Sequence, residues 1–255
     1  MTLPQCYDFE RTSSQKVRFR EGQDPPLQRI IMEHKRLTLF AGHYGSGKTN
    51  IAVNYAISLA KAGKKVCIGD LDIDNPYFRT KDSAKVLEKA GVELISPQFA
   101  NTNVDLPALP AESYRLVQDK NTYGIMDIGG DDRGAYALGR FTPFILKEND
   151  YRMAFVVNFC RPLTTTAEEA LEVMREIETA CSMKFTCIVH NTNLGPETTA
   201  ETVTGAMEKL DSLCSLSGLP LWMHTATADV AKELDGPVMA MELQEKYFAL
   251  PEQSV

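Results

Sequence analysis

The chain lacks any apolar run of the length a membrane span needs, about 20 residues. Residues 1–20 hold no apolar segment of the kind found in a secretory signal. The six cysteines, at positions 6, 67, 160, 181, 187 and 214, form no C-x-x-C pair. Cys67 and Cys187 fall in apolar runs that read as buried strands, where cysteine acts as a small hydrophobe. That pattern speaks against a disulfide framework or an iron–sulfur site, and the expected setting is the reduced cytoplasm. Positive charge is in short supply. Lys and Arg total 27 against 34 Asp and Glu, for a net charge of −7. Such a balance argues against a general nucleic-acid-coating surface, and no helix-turn-helix or basic arm is evident. The stretch 239–255 sets Glu242, Glu245 and Glu252 against Lys246 alone, so no basic amphipathic membrane anchor is evident either.

What is present is organised around Gly42-His43-Tyr44-Gly45-Ser46-Gly47-Lys48-Thr49. This stretch satisfies G-x-x-x-x-G-K-[ST] at every fixed position. A loop that wraps a polyphosphate with its own N–H groups needs glycine where a Cβ would block the approach or forbid the dihedrals. Lys48 is expected to bring a point charge to the β/γ-phosphates and the Thr49 hydroxyl to ligate Mg²⁺. Leu37 to Ala41 reads as a buried strand and Asn50 to Ala62 as a helix, so the phosphates would sit on a helix N-terminus.

From Arg36 onward, short apolar runs alternate with helix-length amphipathic ones, the pattern of a doubly wound α/β sheet, mostly parallel, with helices on both faces. Residues 1–35 are polar and read as an N-terminal extension; 36–255 read as one nucleotide-binding domain. Val66-Cys67-Ile68-Gly69 is predicted as the second strand. It runs into Asp70-Leu71-Asp72-Ile73-Asp74-Asn75-Pro76, carboxylates where ligands bind in this architecture. A helix is predicted from Lys81 to Ala90, with Gly91 as its cap, then a strand at Val92–Ile95. The strand Tyr123 to Ile128 leads into Gly129-Gly130-Asp131-Asp132-Arg133-Gly134. It reads as a metal-holding strand followed by a mobile loop: Asp127 in the Mg²⁺ shell, Gly129 or Gly130 letting the backbone close on a γ-phosphate. Further strands are predicted at Met153–Val157, Phe185–Val189 and, as the last, Leu221–Met223. Helices are predicted at Thr166–Glu178, on a face of Ala167, Ala170, Leu171, Met174 and Ile177, and at Thr199–Leu213. Asp229 to Leu234 begins a C-terminal helical part. His190 and His224 read as polar residues at strand ends rather than metal ligands.

The order of these motifs resembles that of the MinD/ParA/Mrp group of P-loop ATPases, over residues 36–235. Lys48 to Ala56 is similar to the P-loop helix of that group, and Asp70-x-Asp72-Ile73-x-x-Pro76 to its first switch. The resemblance implies ATP and Mg²⁺ as ligands. It implies that Asp72 polarises the attacking water, that Asp70 lies near the metal shell, and that Asp127-Ile128-Gly129-Gly130 forms the second switch. It also implies that Asn191 bonds the adenine and that Asn50 belongs to the nucleotide-binding helix. Asp70-Leu71-Asp72-Ile73 with Asn75-Pro76-Tyr77-Phe78-Arg79, and Gly129-Gly130-Asp131-Asp132 with Gly134-Ala135, resemble bacterial members of the CobQ/CobB/MinD/ParA nucleotide-binding domain family. That match implies a fold and a nucleotide rather than a biological role. One position departs from the group. Its P-loop carries a second lysine after the first glycine, which reaches across a dimer; here His43 stands there, shorter and mostly neutral at pH 7. A homodimer is therefore a weaker expectation than the nucleotide site.

Four functions fit this reading: an ATPase switch acting on an unidentified protein partner, a GTP-dependent metallocentre-assembly protein, an ATP-dependent phosphotransferase or synthetase, and a sensor that hardly hydrolyses. Guanine recognition calls for Asn-Lys-x-Asp, whereas Asn191-Thr192-Asn193-Leu194 lacks the acid, and no His-rich tract or Cys pair is there to carry a metal; ATP is preferred. In the synthetase reading, Arg79, Asn158, Arg161 and Asp131 would line a substrate pocket.

Overall fold

The computed structural model describes residues 34–71, 80–96, 111–130 and 132–243. Among these, eight strands form one sheet: β1 Leu37–Ala41, β2 Val66–Leu71, β3 Glu93–Ile95, β4 Tyr123–Ile128, β5 Tyr151–Val157, β6 Cys187–His190, β7 Leu221–Thr227 and β8 Val238–Met241. Their order is β3-β2-β4-β1-β5-β6-β7-β8, and every pairing is parallel. The central β1 lies between β4 and β5, so the strand order reverses around it and a crevice opens at its carboxyl end.

The strands are apolar on both sides because helices cover both faces. Leu37, Leu39, Ala41, Met153, Phe155 and Val157 enter one core, while Phe40, Ala154 and Val156 enter the other. Helix α1, Lys48–Lys61, and helix α2, Ala84–Lys89, lie on the second face through Ile51, Ala52, Tyr55, Leu59 and Leu87. The first face is covered by α3 Arg115–Gln118, α4 Asp132–Gly139, α5 Thr142–Glu148, α6 Ala167–Cys181 and, beyond α7 Ala200–Thr204, α8 Met207–Ser217. Short α9, Ala228–Ala231, packs with α7 on a small cluster of Val203, Ala226 and Val230. Helix α6 starts on a capping box: Thr166 Oγ1 accepts from Glu169 N at 3.2 Å and Glu169 Oε2 accepts from Thr166 N at 3.3 Å.

Three differences from the sequence reading have physical causes. The sheet does not end at Leu221–Met223. It continues through β8, a short edge strand after Gly236-Pro237 that pairs with β7 and shows little β-branched signal. The Asn54 side chain on α1 pins its end, donating to Glu242 O at 2.9 Å and accepting from Glu242 N at 2.9 Å. The single helix expected at Thr199–Leu213 is two, because Val203 faces one cluster while Leu210 and Leu213 face another. Helices α4 and α5 lie where no helix was expected; Ala135, Leu138, Phe141 and Ile145 anchor them.

Just before β1, the buried Arg36 ties the lower end of the sheet together. Its Nε and Nη2 bond the Glu148 carboxylate. Its Nη1 donates to the carbonyls of Leu116, Asp119 and Thr122 at 3.0–3.1 Å.

Candidate functional site

The loop 42–47 leaves β1 and enters α1 at the crevice. Its backbone requires glycine for steric reasons that can be named. At Gly42 a Cβ would run into the Val156 carbonyl of β5. Gly47 has φ 91° and ψ 17°, a left-handed conformation that costs other residues energy, and a Cβ there would strike the Asn191 amide. Lys48, the first residue of α1, is 5% exposed and folds back so that Nζ donates to His43 O at 3.2 Å. Thr49 follows on the first turn, and the Asn50 amide lies 3.9 Å from Met241 Sδ of β8. The His43 ring lies along its own loop, with Nδ1 donating to Tyr44 O at 3.0 Å. Tyr44 is 56% exposed.

The segment leaving β4 meets this loop. A Cβ on Gly130 would fall 2.6 Å from Tyr44 N, 2.9 Å from Tyr44 Cα and 3.0 Å from Lys48 Nζ. Only glycine allows that approach. Beneath it, β2 and β4 set Asp70 and Asp127 side by side as Cα partners, and both are buried. Asp127 Oδ2 accepts from the buried Thr80 hydroxyl at 2.9 Å. The sequence reading missed Thr80; its one signal was its place directly after the Asp70–Arg79 stretch. Asp72, Arg79 and Asp131 lie outside the described residues.

The loops after β5 and β6 close the other side. Asn191 is 2% exposed and held at both ends of its amide: its Nδ2 donates to Ser46 O at 2.7 Å, and its Oδ1 accepts from the Thr225 hydroxyl at 2.7 Å. Thr225, on β7, was not singled out by the sequence. Asn193 Nδ2 donates to Asn191 O at 2.7 Å, and its Oδ1 accepts from Gly195 N at 3.1 Å. Leu194 is exposed. Arg161 Nε donates to Gly45 O at 3.1 Å. The buried Asn158 does not line an open pocket but braces the turn, its Oδ1 accepting from Cys160 N at 2.9 Å.

His190 and His224 do more than end their strands. They are buried and joined Nδ1 to Nδ1 at 2.9 Å, and His190 Nε2 lies 2.7 Å from Thr192 Oγ1. Burial pushes the His190 imidazole down to about 3, with the neighbouring His224 adding to the effect. Burial also lowers His224, against an opposing pull from Asp211.

The residues present fit a magnesium-bound polyphosphate. The cradle between Gly130 and loop 42–47 would be filled by one Cβ. The Ser46 hydroxyl is buried with no hydrogen-bond partner among the described residues. Thr49, Asp70 and Asp127 offer the hard oxygen donors that Mg²⁺ takes, with phosphate and water completing its shell. Among the described residues, no group of three or more His, Cys, Asp or Glu stands ready for a softer metal, and no helix is long and apolar enough to cross a membrane.

The chain is similar to several solved structures. FtsY from Mycoplasma mycoides superposes with a TM-score of 0.50 at 19% identity, over 78% of this chain and 63% of that one. For the cell division protein FtsY from Thermotoga maritima the TM-score is 0.48 at 18% identity, over 74% and 61%. For the 54 kDa signal recognition particle protein from Aeropyrum pernix, in complex with GDP, it is 0.48 at 17%, over 79% and 42%. The chain thus spans less than two thirds of each of these proteins, and the likeness is one of fold. No curated protein matches the sequence. A family model for the CobQ/CobB/MinD/ParA nucleotide binding domain matches residues 37–220. The chain belongs to that family of P-loop nucleotide-binding domains.

Proposed function

We propose that this protein is a Mg²⁺-dependent ATP-binding switch that hydrolyses ATP and acts through a protein partner in the cytoplasm. The approach of Gly130 to Tyr44 and the Lys48 ammonium carries the reading. It brings the segment after β4 to the place where the terminal phosphate of a bound triphosphate would meet it. A γ-phosphate there would hold that segment, and its loss would release it. Lys48 and the loop N–H groups stabilise the phosphate charge. Thr49, Asp70 and Asp127, the last steadied by Thr80, would hold Mg²⁺, which would supply neutralisation of phosphate charge. Asp72 orients the attacking water. The Gly130 N–H would face the γ-phosphate.

The base reading favours ATP. Guanine presents two adjacent donors that a carboxylate matches, and Leu194 offers none. Asn191 would reach adenine only by sharing the amide that holds Ser46. Residues 36–255 carry this activity and 1–35 form an extension to it. A homodimer formed across the nucleotide would draw its second cation from a residue other than His43.

Turnover tests the reading. ATP hydrolysis is expected in the wild type, none in Lys48→Ala, and binding without turnover in Asp72→Ala. A fully active Asp72→Ala protein would remove Asp72 from the chemistry and the switch mechanism with it.

A further inference from the structure

The P-loop has only one cation of its own close to the phosphates, Lys48, and His43 lies along its own backbone. A second cation arrives from elsewhere in the chain. After β5 the chain makes a tight turn, Asn158 to Thr164. Arg161 N donates to Asn158 O at 3.1 Å and Thr164 N to Arg161 O at 3.3 Å. The buried Thr164 hydroxyl donates to Asn158 O at 2.8 Å. Leu163 takes φ 63° to close the turn, a conformation a branched side chain adopts only where the surroundings impose it.

This turn is bolted to the loop after β6. Phe159 N donates to Thr192 Oγ1 at 3.1 Å, and Asn158 Nδ2 donates to Asn193 O at 3.2 Å. The result is a rigid mount for the half-buried Arg161 side chain. Its Nε bonds Gly45 O, while its terminal nitrogens make no hydrogen bond or ion pair among the described residues. Asn191 holds the next carbonyl, Ser46 O. Two successive P-loop carbonyls are therefore tied off from outside by side chains of the β5 and β6 loops. Because the peptide is planar and trans, a carbonyl fixed outward turns the N–H of the following residue to the opposite side. For Ser46 O, that N–H belongs to Gly47.

We infer that Arg161 is a positioning residue for the polyphosphate: it latches the P-loop at Gly45 and sets a permanent second positive charge beside it, in the same chain. A guanidinium suits this task better than an ammonium, since one donor can hold the carbonyl while the others stay available to an anion. The inference rests on the nucleotide reading above and adds to it the residue that replaces a second P-loop cation.

The test measures ATP and ADP binding, with Mg²⁺, to wild type, Arg161→Ala, Arg161→Gln and Arg161→Lys at low and high KCl, alongside the melting temperature of each unliganded protein. Arg161→Ala is expected to weaken ATP binding by about tenfold, the scale of one charge-assisted hydrogen bond. Arg161→Lys should recover part of that loss. Arg161→Gln should bind with less salt sensitivity than the wild type, because one of the charges that salt screens is gone. Unliganded melting temperatures should stay together, since the side chain makes one surface hydrogen bond. If the wild type binds and Arg161→Ala binds within twofold of it, the inference is overturned and the nucleotide site stands. If affinity falls only in step with the unliganded melting temperature and Lys gives no rescue, Arg161 is structural and the inference is again overturned. If the wild type binds no nucleotide, the functional reading fails and this inference fails with it.

Discussion

Replacing Gly47 by alanine would strike the P-loop at two separable points. The backbone there has φ 91°, which costs a residue with a Cβ about 1 kcal/mol. The new methyl would also displace the Asn191 amide, which is buried and bonded to Ser46 O at 2.7 Å. Losing that bond costs about 1 kcal/mol, and leaving the Ser46 carbonyl unsatisfied costs about 1 more. Gly47→Ala should therefore destabilise the fold by about 3 kcal/mol, a fall of roughly 6–12 °C in melting temperature for a domain of this size. Urea unfolding can be followed through the single tryptophan, Trp222, which stacks on Phe40 with ring centres 6.0 Å apart. The decisive version is a double-mutant cycle. In an Asn191→Ala background the amide is already gone, so Gly47→Ala should cost only the backbone share, about 1 kcal/mol. Equal costs in the two backgrounds would refute the idea that Gly47 exists to make room for Asn191.

Two other perturbations test the fold around the site. Arg36→Lys cannot fork onto Glu148 and also serve three carbonyls; it should cost about 2–4 kcal/mol, and an unchanged urea midpoint would contradict the hub role. The His190–His224 pair makes stability depend on pH in one direction. Both imidazoles are held below their ordinary value in the fold, chiefly by burial, so the unfolded chain takes up protons first as pH falls. The contribution is complete above about pH 7 and erodes below about 6.5, by up to about 1.4 kcal/mol per pH unit for each group. Melting curves between pH 7.5 and 5 should show this, with a shallower slope for His190→Gln; an identical slope would remove His190 from the account.

Much of this was legible because local rules and the global fold agree. The glycines at 42, 45 and 47, with a strand before and a helix after, fixed the P-loop, and the acidic ends of β2 and β4 marked two strands that lie side by side at the crevice. What escaped detection lacked a periodic signal. Strand β8 is four residues long and depends on pairing with β7 and on Asn54. Thr80 and Thr225 are single hydroxyls whose meaning comes from Asp127 and Asn191, distant in sequence. Arg161 looked like a pocket residue, and only the packing of two loops shows that it reaches Gly45. Asn191 was assigned to the base by resemblance, and its amide is found on the P-loop because Gly47 leaves that space.

The most direct test of the central claim is nucleotide binding by the purified full chain. ATP, GTP and ADP with Mg²⁺ would each be titrated against wild type and Lys48→Ala, read as a shift in melting temperature. A ligand that binds only the folded state must raise apparent stability, by about 2.7 kcal/mol at a hundredfold excess over Kd. The expected result is selective stabilisation by ATP in the wild type and no response in Lys48→Ala. Preferential stabilisation by GTP would contradict the ATP assignment. No shift with any nucleotide, or equal shifts in the two proteins, would contradict the claim that the Gly42–Thr49 loop is a working phosphate site.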